Sequence, residues 1–296
     1  MEFWIRFTRR KAKSPLKKQK MKELKCDLHI HSNLSDSDMK IEEIFKVASQ
    51  KNLSTLSITD HDSIEAIEEA RKYSKIYNIE LIEGIEISAQ ENNIEVHLLG
   101  YFIDSQNGKL KEALKDVKET RKERLLLMAQ KLNKLGLKID REELLSKINN
   151  NVPTRLHLGL YLLEKKVVSS LKGAFSKYLS PKSPAYVCRF KFSVKEAISL
   201  IKEAKGLAFL AHPHFLPQQE WIEKFISFGL DGLEVVYPRL STKKSAFYEN
   251  FTVKYDLLKS GGSDAHGTYK EFTEVGAIAI PYEWIERMRE VLNAKR

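Results

Sequence analysis

The sequence predicts an α/β fold, a mainly parallel sheet or barrel interrupted by an all-helical insertion, and three observations carry that reading. Short apolar runs of strand length alternate with amphipathic helices up to about residue 103 and again from about 181. That is the pattern of β–α units laid on a parallel sheet. No strand signal appears between about 104 and 180. Six of the eight histidines fall at or just past the ends of strand-like runs, where folds of this class bind ligands.

Taken in order, Leu24–Ile30 reads as the first strand and Met39–Asn52 as a helix with Ile41, Ile44, Phe45, Val47 and Ala48 on one face. Thr55–Thr59 is a second strand, Ile64–Tyr77 a helix, and Glu80–Ser88 and Glu95–Phe102 are strands. Leu110–Leu135 is one long charged helix, stopped by Gly136, which suits a left-handed C-terminal cap. Asp140–Ile148, Thr154–Glu164 and Ser169–Leu179 read as further helices, with Asp140 and Thr154 as N-caps. Ser180–Pro184 returns the chain to alternation. Helices follow at Val194–Ala204, Trp221–Phe228 and Tyr282–Leu292, and strands at Leu207–Ala211, Gly232–Val236, Leu257–Gly262 and Val275–Ile280. The expected plan is a tail over 1–21, a body over 22–103 and 181–296, and a helical insertion over 104–180 that serves as a lid.

With 296 residues, 42% hydrophobic, the chain is long enough for one large core or one core with a smaller appended domain. No apolar run approaches the roughly 20 residues of a membrane helix, and no signal-peptide pattern is present. Cys26 and Cys188 are too few for a disulfide framework, so a reducing, cytoplasmic setting is expected. The net charge of +10 is uneven: residues 1–20 carry eight Lys/Arg against Glu2, a net of +7, which leaves +3 for the rest. The near-balanced body argues against a large phosphate-backbone footprint. The tail lacks apolar periodicity and reads as disordered. It is a basic arm for nucleic acid or a membrane surface, a transit segment, or, most simply, a cloning or start-site extension ahead of Met21.

His29, His31, His61, His97, His212 and His266 are the strand-end histidines. His29 and His31 are two apart on one strand, so their rings share a face and can share a metal at about 2.0–2.1 Å. Carboxylates accompany them: Asp36, Asp60 and Asp62 around His61, Glu86, and Asp264. Such a mixed set suits Mn²⁺, Zn²⁺ or Fe²⁺, and scattered cysteines argue against a structural zinc site. Taken singly, each has an ordinary role. A lone His caps a helix, and one of Asp60 and Asp62 is expected to cap the helix near Ile64. Their coincidence at successive strand ends is what points to metal.

Asp27-Leu28-His29-Ile30-His31-Ser32, with Ser35-Asp36 after it, resembles the first motif of the polymerase and histidinol phosphatase (PHP) family. Thr59-Asp60-His61-Asp62, Glu83–Ser88, Val96-His97-Leu98-Leu99-Gly100, Ala211-His212-Pro213 and Gly262–Gly267 resemble its later motifs, in the family's order. The likeness spans roughly residues 22 to 281. It is strongest to the stand-alone branch with a helical insertion, which includes nucleoside 3′,5′-bisphosphate phosphatases and 5′-to-3′ exoribonucleases of short RNA. Pro184-Ala185-Tyr186-Val187 shares that likeness.

The resemblance implies a distorted TIM-like (β/α)7 barrel holding two or three divalent ions, Mn²⁺ first, with Zn²⁺, Fe²⁺ or Mg²⁺ as alternatives. His29, His31, Glu86 and Asp264 would hold one ion, and Asp36, His61 and His266 a second. Glu86, His97 and His212 would hold a third, with Asp27 and Asp60 orienting their neighbours. Paired ions of this kind lower the pKa of a water and present hydroxide to phosphorus.

Arg155-Leu156-His157 stands where that branch carries Arg-Pro-His, and the resemblance makes Arg155 and His157 candidate phosphate ligands. Three further departures are Ser37 for the usual Gly, the extra His214, and Arg239 in Tyr237-Pro238-Arg239. His214 is a leaving-group acid or a surface residue, and Arg239 a weaker phosphate candidate. The expected function is metal-dependent phosphoester hydrolysis on a nucleotide or short RNA, with no membrane and no obligatory protein partner. The alternatives are a small-metabolite phosphatase, such as one for histidinol phosphate, and a non-catalytic nucleic-acid-binding module.

Overall fold

The computed structural model describes residues 24–148, 151–188, 190–238, 240–271 and 273–295. The basic tail and Arg239 lie outside the described residues. Ten strands are described: β1 Lys25–Ile30, β2 Leu53–Ile58, β3 Glu80–Leu81, β4 Gly84–Glu91 and β5 Ile94–Tyr101, then β6 Phe192–Ser193, β7 Leu207–Leu210, β8 Gly232–Val236, β9 Leu258–Gly261 and β10 Ile280–Pro281. They form a four-stranded sheet, β10-β1-β2-β3, and a six-stranded sheet, β6-β4-β5-β7-β8-β9. Two isolated parallel bridges, Ile30 to Ala265 and His61 to Glu86, link the sheets.

The α/β class is as expected, but the strand ladders do not close into one barrel, and β4–β5 and β5–β7 run antiparallel. The local cause is a two-residue turn. Asn92 and Asn93 both take positive φ (46° and 63°), the conformation that joins antiparallel strands tightly and that Asn tolerates. The expected strand Glu80–Ser88 is two strands, broken at Ile82-Glu83: β3 pairs with β2, whereas β4 pairs with β5. Arg71 holds Glu83 Oε1 at the break, at 2.6 and 2.9 Å. Of the expected strand Val275–Ile280, only its end pairs, Ile280 with Cys26.

The helices are α1 Ile41–Gln50, α2 Ala66–Tyr77, α3 Gly108–Lys134, α4 Arg141–Ile148 and α5 Arg155–Glu164, followed by α6 Leu171–Ala174, α7 Val194–Glu203, α8 Glu220–Ser227, α9 Thr242–Lys254 and α10 Tyr282–Lys295. Gly136 takes φ +86° just past α3, and Asp140 Oδ1 caps α4 by accepting from Glu143 N–H. Neither Asp60 nor Asp62 caps α2. That helix begins at Ala66 with Glu65 at its N-cap, because both aspartates are engaged elsewhere. The expected helix Ser169–Leu179 is shorter in its α part and ends as a π-turn over Phe175–Leu179. Helix α9 has no counterpart in the sequence reading; it buries only Tyr248, Phe251 and Thr252, too thin a stripe to register.

Apolar clusters fill both faces of the sheets. The insertion has a core of its own, built on Leu125, Met128, Leu132, Leu144, Leu158, Tyr161 and Leu179. Each fully buried side chain of this kind contributes roughly 1.5–3 kcal/mol, so the insertion coheres by itself. Its docking on the body is polar: Arg121 of α3 reaches Asp62 Oδ2 at 2.6 Å, Ser88 Oγ at 2.8 Å and the Pro153 carbonyl at 3.2 Å. Cys26 and Cys188 are free thiols. Among the described residues no helix is long and apolar enough to cross a membrane.

Candidate metal centre

The strands bring every predicted ligand to one place, and Glu86 is its hub. Glu86 sits on β4, 1% exposed. Its Oε2 lies 3.3 Å from His29 Nε2, 3.2 Å from His31 Nε2 and 3.1 Å from His61 Nδ1. Its Oε1 lies 3.0 Å from His97 Nδ1 and 3.1 Å from His212 Nε2. Asp264 Oδ1 is 3.4 Å from both His29 Nε2 and His266 Nδ1, and 3.3 Å from His31 Nε2. Asp36 completes the ring, 3.5 Å from His31, 3.4 Å from His266 and 3.6 Å from His61.

The close approach of these elements depends on Gly262, after β9. A Cβ there would stand 2.4 Å from His29 N and 2.5 Å from His29 Cβ, so only glycine lets the chain pass β1. Asp62, His212 and Asp264 take positive φ, at 48°, 30° and 48°. Backbone held in this region by its surroundings clusters at functional sites.

Whether cations fit can be tested on the imidazoles. His29 Nε2, both nitrogens of His31 and His61 Nδ1 are buried and make no aligned hydrogen bond, although carboxylate oxygens stand 3.1–3.5 Å away. Nitrogens and oxygens that face common points without bonding one another form a donor set for a cation. Three such sets occur: His31, Asp36, His61 and His266; His29, His31 and Asp264; and His61, Glu86 and His97. The grouping differs from the expected one. His31 joins the Asp36 set, His61 stands in the Glu86 set, and His212 reaches that set only through Glu86.

The electrostatics follow from packing so many charges in a dry site. Burial pushes the histidines towards neutrality, yet Asp264 and Glu86 outweigh it at His31, which rises to about 9. His97 is opposed by burial and lifted by Glu86 and Glu95 to about 10. Burial dominates at His61, which falls well below the usual imidazole range. Burial raises Asp36, Glu86 and Asp264, but their cationic neighbours win and hold all three well below the usual carboxylate range. Metal binding to such a site therefore displaces protons.

Surrounding groups fix the ligands. Asp60 accepts from Ser32 N–H at 2.7 Å, Ser32 Oγ at 2.6 Å and Ser35 Oγ at 2.6 Å, shaping the turn that carries Asp36. Asp27 accepts from the N–H groups of Ser263 (2.8 Å) and Gly276 (2.7 Å), tying β1 to the Asp264 loop; burial nevertheless lifts its pKa to about 6.

Sequence reading passes over Glu234, which is fully buried on β8. Its Oε1 lies 2.9 Å from His29 Nδ1, and its Oε2 accepts the His212 N–H at 2.7 Å. It also passes over Lys270 and Tyr237: Tyr237 OH donates to Asp264 Oδ2 at 2.7 Å, and Lys270 Nζ contacts the same oxygen.

The centre opens into a cleft of about 630 Å³, bordered by His97, His212, Arg155, Tyr186, Phe215, Tyr237 and Lys270 among others. Arg155 Nη2 donates to Glu95 Oε1 at 3.1 Å, and that oxygen also faces His97 Nε2 at 3.1 Å. His157 turns Nδ1 to the Thr154 N–H at 3.1 Å, within the N-cap of α5, which leaves Nε2 for a ligand. His214 packs on Phe215 and Tyr237, with ring centroids at 4.2 and 4.8 Å. Burial and the neighbouring His212, Lys244 and Lys270 hold it down to about 4, so it carries no acidic proton near neutral pH.

Comparison with known proteins agrees with this geometry. The chain is 31% identical over 247 residues to a 5′-3′ exoribonuclease of Haemophilus influenzae, covering 82% of this chain and 90% of that one. It is 28% identical over 256 residues to a 3′,5′-nucleoside bisphosphate phosphatase of Chromobacterium violaceum, covering 84% and 90%. The crystal structure of a candidate metal-dependent phosphoesterase from Bifidobacterium adolescentis superposes with a TM-score of 0.82 at 26% identity, covering 89% of this chain and 94% of that one. The PHP domain pattern matches residues 27–177. With strand-end histidines gathered around one buried glutamate and that match across half its length, the chain belongs to the PHP domain family.

Proposed function

We propose that the protein is a metal-dependent phosphoesterase that hydrolyses a phosphate ester of a nucleotide or short RNA. The observation that carries this reading is the set of five imidazoles around the Glu86 carboxylate, opening into a cleft with cationic and aromatic walls. His29, His31, Asp36, His61, Glu86, His97, His212, Asp264 and His266 would hold two or three divalent ions, Mn²⁺ first. When bound, such ions supply Lewis acidity and lower the pKa of water towards neutrality.

The chain's own residues do the rest. Arg155 and Lys270 place positive charge on the cleft wall beside the reacting phosphoryl group, and His157 Nε2 remains available at the head of α5. Tyr186 and the 68% exposed Phe215 offer ring faces to a nucleobase. That aromatic rim supports a nucleotide over a small metabolite. The two bridges between the sheets support reading the strand frame as a distorted barrel, with the insertion over 104–180 as a lid, since Arg155 closes one side of the cleft. The named activities of the Haemophilus and Chromobacterium relatives support the same substrate class.

A panel of adenosine 3′,5′-bisphosphate, a 5′-phosphorylated RNA oligomer and histidinol phosphate tests the reading with Mn²⁺ present. One of the first two substrates should turn over at least about 100-fold faster than histidinol phosphate, the margin a site with dedicated partners supplies. A preference for histidinol phosphate would replace the nucleotide reading. Silence on all three by metal-loaded protein would leave a binding module.

A further inference from the structure

Beside the cleft lies a second, much smaller pocket of about 60 Å³. One wall carries Asp36, His61 and His97 from the metal centre; the other carries Arg121, Arg124 and Arg155 from the insertion. The three guanidinium groups differ in what they already hold. Arg121 is spent on Asp62, Ser88 and the Pro153 carbonyl. Arg155 is paired with Glu95.

Arg124 is different. It is 5% exposed, its Nε donates to the Val187 carbonyl at 2.8 Å, and its guanidinium lies over the Phe190 ring at 4.4 Å. Its Nη2 is buried and bonds to nothing. A buried donor left open on a cation is costly unless a ligand completes it, and burial already pulls the pKa of Arg124 down to about 10. The nearby Glu95 does not fill the gap, because His97 and Arg155 share its Oε1 and Tyr186 OH donates to its Oε2 at 3.1 Å.

We propose that this pocket is a subsite for a second phosphoryl group, the one that is not cleaved, with the Arg124 Nη2 as its donor and Arg155 at its mouth. It rests on the phosphoesterase reading and sharpens it: the substrate carries two phosphoryl groups, one at the metal centre and one in the arginine pocket. A tetrahedral oxyanion is small enough for such a space, and a guanidinium fork matches its oxygens. A neutral terminus would leave Arg124 buried and open.

The test is a ratio. For the wild-type chain with Mn²⁺, kcat/KM is compared between a 5′-phosphorylated and a 5′-hydroxyl dinucleotide, and between adenosine 3′,5′-bisphosphate and adenosine 3′-monophosphate. The doubly phosphorylated member of at least one pair should win by about 100-fold, as expected when a buried charged pair is completed. In Arg124→Met that ratio should collapse towards one, and Arg124→Lys should fall between. A wild-type ratio near one in both pairs overturns the subsite while leaving the phosphoesterase intact, and this holds even if Arg124→Met does not fold. A ratio unchanged in a folded Arg124→Met overturns it as well. Silence of the wild type on all four substrates removes the phosphoesterase reading and the subsite together.

Discussion

The metal centre and the helical insertion face each other across the cleft and are built by opposite means. The centre is rigid by construction. Its ligands sit on strands buried on both faces, and each carboxylate touches several imidazoles. The insertion has its own apolar core but meets the body through guanidinium groups. Charge placed on strand ends fixes where the chemistry happens, whereas charge placed on α3 and α5 fixes what is admitted to it. A shared scaffold with an exchangeable recognition element permits one reaction on different esters.

Substitutions can break that contrast. The largest effect belongs to Glu86→Gln, which removes the negative charge shared by five histidines. Turnover should fall by about 1000-fold or more, with metal content falling in parallel by elemental analysis. Full activity would show that Glu86 is a spectator. Next is Glu234→Gln, which loosens His29 and the strained His212 backbone without touching substrate. Cation affinity by calorimetry should weaken by about 10–100-fold; unchanged affinity would make Glu234 merely a buried polar residue.

The smallest effect on chemistry and the clearest on docking belongs to Asp62→Asn, which leaves the Arg121 cation buried without its counter-charge. Urea unfolding should register a loss of about 3 kcal/mol, with cation affinity changed less than in Glu234→Gln. A loss below about 1 kcal/mol would mean that apolar contacts, not Arg121, hold the insertion down.

The same contrast governs what the sequence makes legible. The metal ligands are visible because strand geometry is local: His29 and His31 share a face by spacing alone, and Asp36, His61, Glu86 and Asp264 recur at successive strand ends. Their grouping into sets is a tertiary fact, so His61 could not be placed beside His97 from spacing. Glu234 is harder to see, since one acid in Gly232–Val236 looks like any solvent-facing residue of a strand. Arg121 and Arg124 are hidden among the charges of α3, yet a signal exists. Leu110, Leu114, Val117, Leu125, Met128 and Leu132 form the buried stripe of that helix, and the two arginines fall on it. A charge on an apolar stripe is either paired or waiting for a partner. The antiparallel β4–β5 pair was also written locally, in Asn92-Asn93, but β–α alternation elsewhere masks it.

The central claim is that this centre hydrolyses phosphate esters only with divalent cations in place. The direct measurement is product release from a 5′-phosphorylated dinucleotide by the full chain with Mn²⁺, after chelation, and after Mn²⁺ is restored. The account predicts turnover that disappears with the chelator and returns with the metal. Undiminished turnover by protein shown by elemental analysis to be stripped of metal would contradict it.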